Sequence, residues 1–312
     1  MRSAVSGVVF GILIAEAACS VDPGYAGRSS GEWVAQLSDT STDRRVDAAI
    51  ALGRVLALQP DEPAAVTALV RALADTSDEV RTTAARALTE AAHGDKRTRT
   101  RLSAAVPGLA SLMTDSAHPA VRTEAATVLG TVLGALAQAR DENLSPAGTQ
   151  AGARALAAAF GDSVPAVRLA ALGAVAAFGP GVRAEWPGCD TALVRLAGQD
   201  PSASARRAAL DALARTRAPG ALVQAALVRG TSDADPDVRV AAVTTLGLLA
   251  DTAGQGVRAA LWRALADADA GVRREALHAL TALHRRGGQD SAPPEPSAIE
   301  RCTAGGNARP DC

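Results

Sequence analysis

Leu73 to Leu88 reads LADTSDEVRTTAARAL, and the same phrase returns along the chain. It aligns without a gap to Leu37–Leu52 (LSDTSTDRRVDAAIAL). Further copies begin at Met113 (MTDSAHPAVRTEAATVL), Phe160 (FGDSVPAVRLAALGAV), Gly198 (GQDPSASARRAALDAL), Thr231 (TSDADPDVRVAAVTTL) and Leu265 (LADADAGVRREALHAL). Seven arginines anchor the copies: Arg45, Arg81, Arg122, Arg168, Arg206, Arg239 and Arg273. They span 228 residues in six intervals, a mean of 38. A period of that length signals stacked supersecondary units rather than two independent globular domains.

Each copy has one internal grammar. Three residues after the arginine stands alanine in every copy (Ala48, Ala84, Ala125, Ala171, Ala209, Ala242, Ala276), and seven after it stands Leu52, Leu88, Leu129, Val175, Leu213, Leu246 or Leu280. A small residue followed one turn later by a large one traces the buried face of a helix, with the alanine admitting a close neighbour. Upstream lies a second amphipathic segment, as in Val66, Leu69, Val70 and Leu73, in Val106, Leu109, Ala110 and Met113, and in Val257, Ala260, Leu261 and Ala264. The unit is therefore a helical hairpin. An aspartate six residues before the arginine (Asp39, Asp75, Asp162, Asp200, Asp233, Asp267; shifted to Asp115 in the third copy) falls in the turn. Ser41, Ser77, Ser202, Asp235 and Asp269 are residues that cap a helix start, and Pro119, Pro165 and Pro236 suit its first position.

This D-x-x-V-R-x-x-A-x-x-x-L core resembles the HEAT repeat family, in its short bacterial form, the phycobiliprotein-lyase HEAT-like repeats. The resemblance covers about Ser30 to Ala282. It implies an all-α fold, an α-solenoid coiled as a right-handed superhelix of about seven HEAT-like hairpins, with the second helices on the concave side. It also implies that each aspartate bonds amides at a helix start while the arginine reaches the next unit. The expected division is a leader over 1–19, a linker over 20–29, the solenoid over 30–284 and a Gly/Pro-rich tail over 285–312. Two irregularities interrupt the period, the polar stretch 141–150 (DENLSPAGTQ) and the Gly/Pro-rich stretch 178–188 (FGPGVRAEWPG). Both read as loops at a binding edge, with Trp186 packing back on the solenoid.

Composition agrees. Of 312 residues 48% are hydrophobic but only 2% aromatic, which favours helices over a β-sandwich or barrel. With 32 Lys and Arg against 33 Asp and Glu the formal charge is −1, so no nucleic-acid partner is expected, and seven aromatic residues leave little for base stacking.

The N-terminus has the layout of an export signal: Arg2, an apolar run from Ala4 to Ala15, then small residues around Cys19. Cys19 stands where a lipoprotein would carry its lipid and so offers a membrane tether. Glu16 departs from that pattern, and Ala15-Glu16-Ala17 reads equally as an ordinary cleavage site. The alternative is an uncleaved cytoplasmic chain. Cys302 and Cys312 bracket a nine-residue loop that a disulfide could close in an oxidising compartment, and Cys189 reads as a packing residue.

No catalytic, cofactor-binding or metal-ligating residues are assigned. His93, His118, His278 and His284 form no ligand-like cluster, and no Gly-rich phosphate loop or nucleophile elbow occurs. Asp and Arg recur in every copy, as scaffold maintenance requires, whereas a catalytic site would break the period once. The expected function is a non-enzymatic scaffold that binds a protein or peptide on its concave face or loop edge. The alternative carried by the resemblance is bilin-lyase or chaperone-lyase activity on a chromophore-bearing protein.

Overall fold

A computed structural model describes residues 24–58, 62–139, 146–218, 220–249 and 255–287. Cys19, with the leader expected over 1–19, and the cysteines Cys302 and Cys312 lie outside the described residues. Within the stretch expected to be a linker, β1 (Gly24–Tyr25) and β2 (Arg28–Ser29) pair as a small antiparallel hairpin. Its turn places Ala26 and Gly27 at φ of 53° and 76°. Ser29 then opens the first helix with a reciprocal capping box to Glu32.

The helices follow as seven hairpins: α1 (Ser30–Gln36) with α2 (Thr42–Leu58); α3 (Pro63–Ala72) with α4 (Asp78–Ala92); then an inserted α5 (Lys96–Leu102); α6 (Val106–Asp115) with α7 (Pro119–Ala139); α8 (Pro146–Ala159) with α9 (Pro165–Phe178); an inserted α10 (Val182–Glu185); α11 (Cys189–Gln199) with α12 (Ala203–Arg215); α13 (Ala221–Gly230) with α14 (Pro236–Leu249); and α15 (Gln255–Ala264) with α16 (Ala270–Gly287). Each second helix packs on the next second helix, and the first helices form a parallel outer layer. The result is one continuous core, an all-α solenoid.

The periodic positions do what their chemistry predicts. All seven alanines three residues after the arginine are wholly buried, and the large residues four further on are buried as well. Pro119, Pro165 and Pro236 are the first residues of their helices. Ser202, Asp235 and Asp269 accept first-turn amides. Ser77 makes no such bond with its side chain; Asp75 instead holds the Ser77 amide, and Asp78 and Glu79 complement the helix dipole.

Helix enters both irregular stretches. Residues 141–150 read as a loop, but α8 starts at Pro146, where proline needs no amide partner, and Thr149 is buried within it. In 178–188, Gly179 takes φ 67° to end α9, a 3₁₀ turn follows, and α10 leads to Trp186. Trp186 packs against the core, its ring 5.2 Å from that of Phe160. In the outer layer α10 stands between α8 and α11.

Candidate functional site

The turns between the helices of the hairpins carry a ladder, five rungs of which lie among the described residues. Arg45, Arg122, Arg168, Arg206 and Arg239 each offer Nε and Nη2 to the two carboxylate oxygens of the aspartate one repeat on: Asp75, Asp162, Asp200, Asp233 and Asp267. All ten hydrogen bonds measure 2.7 to 3.0 Å. The third nitrogen, Nη1, donates to a carbonyl of the arginine's own turn, as from Arg168 to Asp162 at 2.9 Å. Each of those aspartates also accepts the amide two residues on: Ser77, Val164, Ser202, Asp235 or Asp269. Arg81 bonds the carbonyls of Asp75 and Thr76 and pairs with Asp78. The guanidinium fork and the planar carboxylate thus fix the register of successive repeats.

These contacts shift proton affinity. Hydrogen bonds from Arg122 and Arg206 hold the Asp162 and Asp233 carboxyls below the ordinary range. At Asp75, Asp200 and Asp267 burial pushes upward, and the arginine and amide hydrogen bonds outweigh it. A carboxyl whose pKa is depressed by folding stabilises the native state above its unfolded value, near 3.8, and loses that contribution as pH falls through the folded value. The thermal midpoint is therefore expected to hold between pH 7 and about 5 and to drop steeply below about pH 4. A midpoint unchanged down to about pH 2 would refute the ladder's role.

The second helices approach more closely than side chains of ordinary size allow. A Cβ on Gly53 would lie 2.9 Å from that of Ala87, one on Gly130 2.3 Å from the Ala174 Cα, one on Gly134 2.6 Å from the Ala177 carbonyl oxygen, and one on Gly247 2.8 Å from the Ala279 Cβ. These small residues let the second helices pack as one close layer.

On that layer two cavities adjoin. One of about 650 Å³ is lined by Ala92, His93, Arg99, Thr131, Gly134, Ala135, Ala176, Ala177 and Arg215. The other, about 450 Å³, shares Ala176, Ala177 and Arg215 with it and adds Leu169, Leu172, Gly173, Ala208 and Asp211. Together they form a groove across α4, α7, α9 and α12. Leu169 is 41% exposed on its floor. Thr123, Thr127 and Thr131 return their hydroxyls to carbonyls four residues back along α7. Asp211 keeps 53% of its side chain exposed, yet desolvation raises its carboxyl's pKa against the pull of Arg207 and Arg215.

Sequence reasoning missed this groove, although a signal existed. One, five and nine residues after the anchor, the outward stripe is Thr82, Arg86 and Glu90 in the second copy, Thr123, Thr127 and Thr131 in the third, and Arg207, Asp211 and Arg215 in the fifth. In the fourth copy it is Leu169, Gly173 and Ala177, with no polar side chain, while the first copy (Val46, Ile50, Arg54) and the sixth (Val240, Thr244, Leu248) each keep one. Cys189 is wholly buried, and burial and Asp190 push its thiol up to about 12, so it is an inert packing group. Glu275 and His278 lie 3.8 Å apart on α16, and among the described residues no group of three or more His, Cys, Asp or Glu is placed to hold a metal.

Helical hairpins, stacked in two layers and tied at five joints by an Arg–Asp pair, define the class: an α-solenoid built from short repeats. Residues 32–130 and 223–294, more than half of the chain, match the family described as HEAT repeats, and the chain belongs to that family. The crystal structure of the Escherichia coli protein YibA superposes with a TM-score of 0.52 over 82% of each chain at 19% identity, a likeness of fold. An engineered protein gives 0.46 at 22% identity, over 83% of this chain and 97% of its own. A designed armadillo repeat protein in complex with the peptide (KR)4 gives 0.43 at 20% identity, over 82% of this chain and 100% of its own. No curated protein sequence matches the chain.

Proposed function

We propose that this protein is a non-enzymatic scaffold that binds a protein or peptide along the inner face formed by its second helices. HEAT and armadillo repeat folds commonly serve protein–protein interaction. The observation that carries the reading is the groove over α4, α7, α9 and α12, where the outward stripe turns apolar while the ladder beside it ties up the recurrent Asp and Arg side chains. A channel that sets a few charged groups beside an apolar floor is the form that ligand sites take. The test is affinity capture from native cells with the intact chain and with Leu169→Asp, a substitution at an exposed position. A partner retained by the first and lost by the second is expected. Equal retention by both, or reproducible turnover of a substrate by the purified protein, would sink the reading.

The proposal also places the protein in the cell envelope, exported and tethered by lipid at Cys19, with Cys302 and Cys312 bridged. Support comes from the charged start, the apolar run and the small residues before Cys19. Mass spectrometry of the native protein is expected to find diacylglyceryl-Cys19 as the first residue; cleavage after Ala17 would remove the tether, and an intact Met1 would overturn export.

A further inference from the structure

The larger cavity is lined by three side chains that carry or can carry positive charge, His93, Arg99 and Arg215, and by no carboxylate. That is unexpected in a chain with near-equal numbers of acidic and basic residues. The asymmetry arises from the insertion: α5 reads KRTRTRL, interrupts the repeat period, and brings Arg99 to the rim. Arg99 donates from Nη1 to the Gly94 carbonyl, while its Nε meets no acceptor. Arg215, on the last turn of α12, forms no ion pair within 4 Å among the described residues and acts on Asp211 only through its field. Between these two arginines the floor is Gly134, Ala135, Ala176 and Ala177. Further along, past Arg215, it becomes Leu169, Leu172 and Gly173.

Resting on the scaffold reading above, we infer that this groove takes an extended peptide of a partner protein carrying an acidic side chain, seated between Arg99 and Arg215, followed by an apolar side chain seated over Leu169 and Gly173. Small floor residues admit a backbone lying close to α7 and α9. The two guanidinium groups supply charge-assisted hydrogen bonds to a carboxylate, which is the recognition that arginine performs best. The lining holds one ring, that of His93, and no Phe, Tyr or Trp on which successive nucleic-acid bases could stack, and this favours a peptide over a polyanion.

The probes are three fluorescent eight-residue peptides in which Leu alternates with Glu, Gln or Lys, titrated into the intact protein and into Arg99→Gln and Arg215→Gln, with thermal midpoints measured alongside. A photo-cross-linker replacing Ala177 locates the bound probe. The Glu peptide is expected to bind at least tenfold more tightly than the Gln and Lys peptides, to lose at least tenfold affinity with either arginine variant, to weaken as salt rises, and to cross-link at position 177. Equal cross-linking of the Gln or Lys peptide at 177 overturns the acidic preference and leaves the scaffold reading standing. Displacement of the Glu peptide by an oligo-dT strand overturns it in favour of a polyanion surface. Cross-links from 177 to residues 288–312 or to a second copy, in the absence of peptide, overturn it in favour of self-occupancy.

Discussion

Replacing Asp200 with alanine is expected to destabilise the protein by about 3–5 kcal/mol, a large share of the stability of an ordinary domain. Asp200 is the most buried aspartate of the ladder, its side chain 2% exposed, and its partner Arg168 is 9% exposed. Removing the carboxylate strands a guanidinium in a water-poor turn with only the Asp162 and Ser163 carbonyls to meet it, and frees the Ser202 amide at the start of α12. The control is Asp237→Ala. Asp237 and Arg207 lie 3.9 Å apart with side chains 76% and 54% exposed, and such pairs contribute at most about 1 kcal/mol. Denaturant unfolding measures both. A loss at Asp200 no greater than that at Asp237 would mean the ladder is decoration. Substituting Arg168→Met together with Asp200→Leu should recover much of the loss, since no charge is then left unpaired.

Gly130→Ala is expected to destabilise by about 1–3 kcal/mol, against the usual direction for glycine in a helix. Mid-helix, alanine ordinarily gains about 1 kcal/mol over glycine. Here the added methyl would stand 2.3 Å from the Cα and 2.5 Å from the Cβ of Ala174, so α7 and α9 must separate. Gly173→Ala provides the contrast within the same pair of helices: nothing lies within 4 Å of its added Cβ, and a gain of up to about 1 kcal/mol is expected. Thermal melts of the two variants should move in opposite directions. Parallel shifts would show that the separation of α7 and α9 is not set by the glycine.

Much of this architecture was legible because it repeats. Alanine three after the arginine and Leu or Val seven after it locate the buried face seven times over, and wherever a rung is described the Asp–Arg spacing predicts one that joins neighbouring units. What did not repeat was hard to read. The inserted α5 shares no residue with the motif, so Arg99 gave no sign that it reaches the same cavity as Arg215, more than a hundred residues away. Pro146 looked like a loop breaker because proline both ends and begins helices. The stretch Gly130 to Gly134, GTVLG, reads as a weak helix segment until Ala174 and Ala177 are known to face it. The groove was hard to read in the outward stripe: the fourth copy has no polar side chain there (Leu169, Gly173, Ala177), but the first and sixth, with Val46 and Ile50 and with Val240 and Leu248, are nearly as apolar.

The short α10 has a mechanical meaning. An arch bends because its blocks are wider at the outer edge than at the inner one. Here α9 touches α12 directly on the inside, while on the outside α10 stands between α8 and α11. That spacer makes the joint between the fourth and fifth repeats the keystone of the curve. The groove lined by Leu169, Gly173 and Arg215 lies at that joint, where α9 meets α12.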